Sequence, residues 1–160
     1  MGSKGLIAEH GLAFLIETGD RKILFDTGQN LALAHNAEVL GIDLHQIDTV
    51  VLSHGHYDHT GGLKSLVEAH TNFNLIAHPD VFDEKLRQVR GQYKAIGNPV
   101  ARALLAKRGI PVRLADQPVS IAPGVRSSGE IPLRTDFEAV ESGFFRRQSH
   151  DVLPDTLADD

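Results

Sequence analysis

The chain has 160 residues, 41% of them apolar and 23% charged, a net charge of −5, and no cysteine. This is enough for one soluble domain with a real core. It excludes disulfides and thiolate ligands, and without a Lys/Arg cluster it argues against nucleic acid as the main partner. No apolar run is long enough to span a bilayer and no basic-then-apolar leader opens the chain, so no membrane is expected and the cytoplasm is the default location.

In chain order, residues 12–17 read as a buried strand, Gly19-Asp20 as a turn, and 22–26 as the return strand of a hairpin. Thr27-Gly28-Gln29-Asn30 is a loop. Asn30 is placed to cap a helix over 31–40 that Gly41 stops. Residues 49–53 form an apolar, β-branched strand, 62–69 are helical, and 73–77 are a further strand closed by His78-Pro79. Asp80 is positioned to cap a helix through about residue 90. Gly97-Asn98-Pro99 breaks the chain, and 100–108 are helical with Gly109 as the stop. Short strands are expected at 112–115, 119–122 and 125–128, and from Thr135 onward the pattern is weak. An early hairpin followed by strands alternating with helices predicts an α/β layered domain with a mixed sheet.

The segment Ser53-His54-Gly55-His56-Tyr57-Asp58-His59-Thr60-Gly61-Gly62 directly follows the strand at 49–53 and places three histidines and one carboxylate in six positions. With no thiolate in the chain, any metal is held by nitrogen and oxygen, which favours a catalytic site over structural zinc. Imidazole with carboxylate suits zinc, and equally iron or manganese. In an extended loop residues i and i+2 point the same way. His54 and His56 are therefore placed to grip one ion, and Asp58 and His59, where the chain turns into the next helix, a second. Two such ions would acidify a shared water to a pKa of about 7, giving hydroxide at neutral pH. Asp58 is also the candidate catalytic residue. The competing reading is a polar surface loop whose histidines happen to cluster. Asp26 is either a turn residue at the hairpin end or a support for the histidine site.

His54-x-His56-x-Asp58-His59 followed by Thr60-Gly61-Gly62, with Ile23-Leu24-Phe25-Asp26-Thr27-Gly28 upstream, resembles the signature of the metallo-β-lactamase superfamily. The resemblance implies an αββα sandwich with a metal site at the sheet edges. It implies His54 and His56 on a first metal, Asp58 and His59 on a second, and Asp26 supporting them. Ala8-Glu9-His10-Gly11-Leu12, Leu40-Gly41-Ile42-Asp43, Gly97-Asn98-Pro99 and Gly129-Glu130-Ile131-Pro132 are in addition similar to one subgroup. That subgroup is named for 7,8-dihydropterin-6-methyl-4-(β-D-ribofuranosyl)aminobenzene 5′-phosphate synthase.

A full site in that superfamily takes further ligands from later loops: a third histidine, a bridging acid and a last histidine. After His59 the chain offers only His70, His78 and His150. His70 reads as a solvated residue at a helix end. His78 is a candidate for substrate or metal contact, or for a structural role at the His-Pro turn. Glu130 stands where the resemblance expects the third histidine and is a candidate carboxylate ligand or a strand-end residue. Asp159 and Asp160 would reach the metals only if the tail folds back. The unfilled ligand set leads to the expectation that the sandwich is incomplete and is the N-terminal part of a longer single domain. Its uncovered sheet edges and apolar face would then invite homodimerisation or strand exchange.

The leading functional expectation is a dinuclear metal-dependent hydrolase acting on an ester, lactone, thioester or phosphoester of a small molecule, tilted by the subgroup resemblance toward a pterin-like or phosphorylated heterocycle. The alternatives are a catalytically incomplete metal-binding fragment or assembly module, and redox chemistry at a di-iron site.

Overall fold

The computed structural model describes residues 5–137 and 141–155. Asp159 and Asp160 lie outside the described residues. A five-stranded sheet has the order β1-β2-β3-β4-β7, made of β1 (Phe14–Thr18), β2 (Arg21–Phe25), β3 (Thr49–Val51), β4 (Asn74–Ala77) and β7 (Val112–Leu114). β1 and β2 are the antiparallel hairpin, and β2, β3, β4 and β7 run parallel. β1 is less buried than its apolar sequence suggests, with Phe14 and Ile16 exposed, because it is the edge strand.

Register explains why the inner strands are apolar throughout. Leu24, Val50, Leu75 and Val112 are successive cross-strand partners, and so are Phe25, Val51, Ile76 and Arg113. Side chains alternate along a strand, so these two rows face opposite sides of the sheet. The first row joins a large core with Leu63, Leu66 and Val67 of α3 (Leu63–Ala69), Leu105 of α4 (Arg102–Lys107), Ile47 and Ile110. The second row meets Val119 and Ala122 from a small hairpin, β8 (Ser120–Ala122) with β9 (Val125–Arg126), in a separate apolar cluster. Parallel strands buried on both faces read as continuous apolar runs, as these do. Burying a side chain such as Leu66 or Leu75 contributes roughly 1.5–3 kcal/mol.

The first helix, α1 (Ala32–Leu40), ends as expected at Gly41, which has φ 68°. Its start differs from expectation: Asn30 does not cap it. The Glu9 carboxylate accepts the backbone N–H groups of Gln29, Asn30 and Leu31 at 2.8–3.0 Å. An acid from a distant segment replaces a local cap at the positive end of the helix.

The helix expected over 80–90 is absent. His78 starts a short 3-10 turn, Pro79–Phe82, and the chain then forms β5 (Glu84–Val89) and β6 (Gln92–Ala95). Arg90 and Gly91 between them have φ of 52° and 79°, the paired left-handed conformation of a tight two-residue hairpin turn. Glu, Lys, Leu, Arg and Gln favour helices, but turn chemistry and tertiary pairing override that preference. The weakly patterned tail supplies β10 (Phe144–Gln148) and β11 (Asp151–Pro154), which complete a four-stranded sheet of order β11-β10-β5-β6. His150 lies in the turn between them. Among the described residues no helix is long and apolar enough to cross a membrane.

Candidate metal centre

Parallel strands deliver their carboxyl ends to one side of the sheet, where α/β proteins build their sites. β2 leads into Asp26, β3 through Leu52 into Ser53-His54, and β4 into His78. The histidine-rich loop leaves β3, and Tyr57–Thr60 form α2, a single helical turn.

Asp26 is the anchor of this loop. It is fully buried and has φ 56°, a left-handed conformation that Asp tolerates better than most residues. Its backbone N–H donates to the Val51 carbonyl at 2.8 Å. Its Oδ1 accepts the Ser53 backbone N–H at 2.8 Å, and its Oδ2 accepts the Ser53 hydroxyl at 2.8 Å and His59 Nδ1 at 2.7 Å. A carboxylate only accepts, so His59 carries its proton on Nδ1 and its Nε2 faces outward. That nitrogen lies 3.8 Å from Asp58 Oδ2.

Thr27 secures the far side. Its backbone N–H and its hydroxyl both donate to the His59 carbonyl, at 2.8 and 2.9 Å, and its Oγ1 accepts the Leu63 N–H at 3.0 Å. Gly61 and Gly62 permit this docking. A Cβ on Gly61 would sit 1.7 Å from the Gln29 carbonyl oxygen, and one on Gly62 2.0 Å from that of Thr27. The Gly-Gly pair is thus required by close backbone approach.

The four-stranded sheet walls the other flank. Tyr57 N–H donates to the Ile96 carbonyl, His56 bridges to Gly97, and the Phe144 ring stacks on His56 at 5.1 Å between centroids. Within this frame the rings of His54 and His56 pack at 4.7 Å, and those of His54 and His59 at 4.2 Å. The Ser53 hydroxyl lies 2.9 Å from His54 Nδ1.

These four residues suit a borderline divalent cation by chemistry: three imidazoles crowded ring to ring, a carboxylate beside one of them, and no competing thiolate. A buried carboxylate that fixes the tautomer and ring of a histidine is the usual support for such a ligand. Among the described residues no three or more His, Cys, Asp or Glu side chains form a group that could hold a metal ion.

The remaining sequence candidates have partners of their own. His78 Nδ1 pairs with Asp80 and its Nε2 lies 2.8 Å from Glu130 Oε1, so both nitrogens are engaged. Burial opposes its protonation, but the bonds to Asp80 and Glu130 raise its pKa above the usual 6.5. Asp80 in turn bonds Lys85 Nζ at 2.9 Å, and Lys85 bonds Asp155 at 2.8 Å. Lys85 is only 2% exposed, and its two carboxylates hold it protonated despite its burial. Glu130 is not a strand-end residue, since it follows β9 in an irregular segment. His70 ends α3 as its C-cap, as expected, but its ring is not solvated: it packs against His45 and Phe73, and burial, then the neighbouring His45, lower its pKa.

The fold and loop together define an α/β layered protein with a histidine-rich centre at the carboxyl ends of its parallel strands. Residues 6–154 match the model of the metallo-β-lactamase superfamily, and the chain belongs to that family. It is 36% identical over 140 residues to an uncharacterised protein of Methanocaldococcus jannaschii, covering 86% of this chain and 53% of that protein. It is 30% identical over 164 residues to the 7,8-dihydropterin-6-methyl-4-(β-D-ribofuranosyl)-aminobenzene-5′-phosphate synthase of the same organism, covering 96% of this chain and 55% of that one. The crystal structure of Tm1679, described as a metal-dependent hydrolase of the β-lactamase superfamily, superposes with a TM-score of 0.75 at 26% identity over 98% of this chain and 54% of that one. The chain spans about half the length of the curated relatives it matches.

Proposed function

We propose that this chain provides the histidine-rich part of a dinuclear, metal-dependent hydrolase site. The observation that carries the reading is the ring-to-ring packing of His54, His56 and His59, with His59 locked by buried Asp26. In this reading His54 and His56 hold one divalent cation and Asp58 and His59 a second, with zinc favoured and iron or manganese compatible. Bound there, the cations would supply Lewis acidity toward a substrate oxygen and acidify water.

The protein's own groups have separable tasks. Asp26 keeps the His59 proton on Nδ1 and so presents Nε2 to the site. Ser53 links Asp26 to His54 and transmits the same restraint to the first pair. Phe144 and the Ile96-Gly97 edge shield the flank of His56. Asp58 brings negative charge to the exposed mouth. The substrate class that fits is a small ester, lactone or phosphoester. The relationship to a protein named as a dihydropterin phosphate synthase tilts it toward a phosphorylated pterin-like molecule.

A second reading is supported by the lack of such a group of three or more ligands among the described residues. In it the chain binds metal through the half-sites alone and serves as a binding or assembly module. Zinc-dependent turnover of a chromogenic phosphodiester or lactone, abolished in His56→Ala, supports the hydrolase. Metal binding in solution without any turnover supports the module. Turnover that survives both chelation and His56→Ala would end the hydrolase reading.

A further inference from the structure

The segment preceding β1 has no regular secondary structure, yet it is stitched to the body at every turn of the chain. His35 Nε2 lies 2.6 Å from the Gly5 carbonyl, and Asn36 exchanges two hydrogen bonds with the backbone of Ile7 at 2.9 and 3.0 Å. Glu9 accepts three N–H groups at the start of α1, and the Gly28 N–H donates to the Leu12 carbonyl at 2.7 Å. At Gly11, with φ 107°, the strap lies directly on the loop. A Cβ there would sit 1.8 Å from the Asp58 carbonyl oxygen.

Part of this strap covers an apolar cleft of about 400 Å³ lined by Ile7, Leu12, Leu24 and Leu33. Ile7, His10 and Leu12 all line that cleft. His10 is nevertheless largely exposed, and it sets Nδ1 3.3 Å from Asp58 Oδ2. The same carboxylate oxygen faces His59 Nε2 from its other side. Among the described residues His10 is the hydrogen-bond partner of the Asp58 carboxylate, whereas His59 is held by Asp26.

We propose that His10 is a positioning residue for Asp58: its Nδ1–H donates to Asp58 Oδ2 and orients that carboxylate toward the ion shared with His59. Glu9 and Gly11 on either side set the strap so that His10 reaches. The inference rests on the metal-site reading above. It assigns to the strap a role in metal binding that its distance in sequence, 48 residues from Asp58, conceals. An outer hydrogen bond to a ligating carboxylate changes metal affinity about 10–100-fold when lost.

The test uses the whole chain, with zinc and cobalt as probes. Zinc affinity is measured by competition with a chromogenic chelator for wild type, His10→Ala and His10→Asn, alongside the melting temperature of each metal-free protein. The cobalt-loaded forms are compared by visible absorption. The proposal predicts about tenfold weaker zinc binding in His10→Ala, a changed cobalt spectrum and an unchanged metal-free melting temperature. Asn, which keeps an N–H donor, recovers part of the affinity. Wild-type affinity and an unchanged cobalt spectrum in His10→Ala would overturn it while leaving the metal site intact. So would a fall in metal-free stability that accounts for the whole affinity loss, since that marks a merely structural strap. Absence of zinc binding by wild type itself would instead overturn the underlying metal-site reading, and this inference with it.

Discussion

At the scale of single residues, Asp26 does the most. It terminates β2 in a left-handed conformation, holds the first residue of the histidine loop through two bonds, and fixes the ring of the last. Asp26→Ala would strand the Ser53 N–H and His59 Nδ1 and place a Cβ-bearing residue without a local acceptor at φ 56°. An unsatisfied buried donor costs about 1–3 kcal/mol, and the left-handed backbone about 1–2 kcal/mol for an ordinary L-residue. The expected loss is therefore about 3 kcal/mol in urea unfolding of the metal-free protein. Asp26→Asn, which accepts one bond and tolerates the conformation, should lose less than half of that. Equal stability of Asp26→Ala and wild type would show that the anchor is dispensable. Asp26 stood out in the sequence by its place ahead of the histidine motif, and its carboxylate bonds that loop at Ser53 and His59. The role of His10 was not legible there, because no local spacing ties residue 10 to residue 58. The left-handed Gly11, the distant cap from Glu9 and the strap's other ties to the body bring them together.

At the scale of elements, the parallel strands, α1 and α3 could be read from apolar runs and glycine stops, because their burial and their local signals agree. The segment 84–95 defeated such reading. Its helix-favouring side chains form a hairpin because Arg90-Gly91 makes a tight turn and β10 pairs with β5. Lys85 is the extreme case. A lysine in β5, it is buried between Asp80 and Asp155 and ties the 3-10 turn after β4 to the residue following β11. Removing one partner of a buried ion pair costs about 3–5 kcal/mol, so Lys85→Met should lower stability by that order in chemical denaturation. A loss under about 1 kcal/mol would mean that water screens the two carboxylates.

The same cluster sets a pH dependence. Burial resists the charge on His78, but the Asp80 and Glu130 bonds raise its pKa above 6.5, so its stabilising effect is whole below that pH and is lost as pH rises through the raised folded value. Burial likewise resists the charge on Asp80, yet Lys85 and His78 lower its pKa below 3.8. Its effect is whole above that pH and is lost as pH falls through the lowered folded value. The melting temperature of metal-free protein should therefore decline as pH rises above 6.5, and His78→Ala should flatten that limb. An unaltered limb in the variant would assign the decline to other groups.

At the scale of the whole molecule, two features converge. The parallel strands of the central sheet, apolar on both faces, carry their ends to one side, and the loop at that side gathers three histidines against the edge of a second sheet. The α/β layered class was readable because the sheet rows are continuous in sequence. The four-stranded sheet was not, because β10 carries two half-buried arginines and pairs with β5, far back along the chain. Arg147 pairs with Glu84 at 2.9 Å, and Arg87 of β5 lies 4.0 Å over the Phe144 ring. The helix-free face of the central sheet, expected to be bare, is covered in part by the β8–β9 hairpin through Val119 and Ala122. The chain belongs to the metallo-β-lactamase superfamily and spans about half the length of the curated relatives it matches.

The most direct test of this account is the metal content of the purified chain. Wild type and a His54→Ala/His56→Ala variant are saturated with zinc, freed of excess by gel filtration, and measured by elemental mass spectrometry on samples shown by circular dichroism to be equally folded. The account predicts zinc retained by wild type and lost from the half-site that the variant removes. Equal zinc in both proteins, or none in wild type, would contradict it.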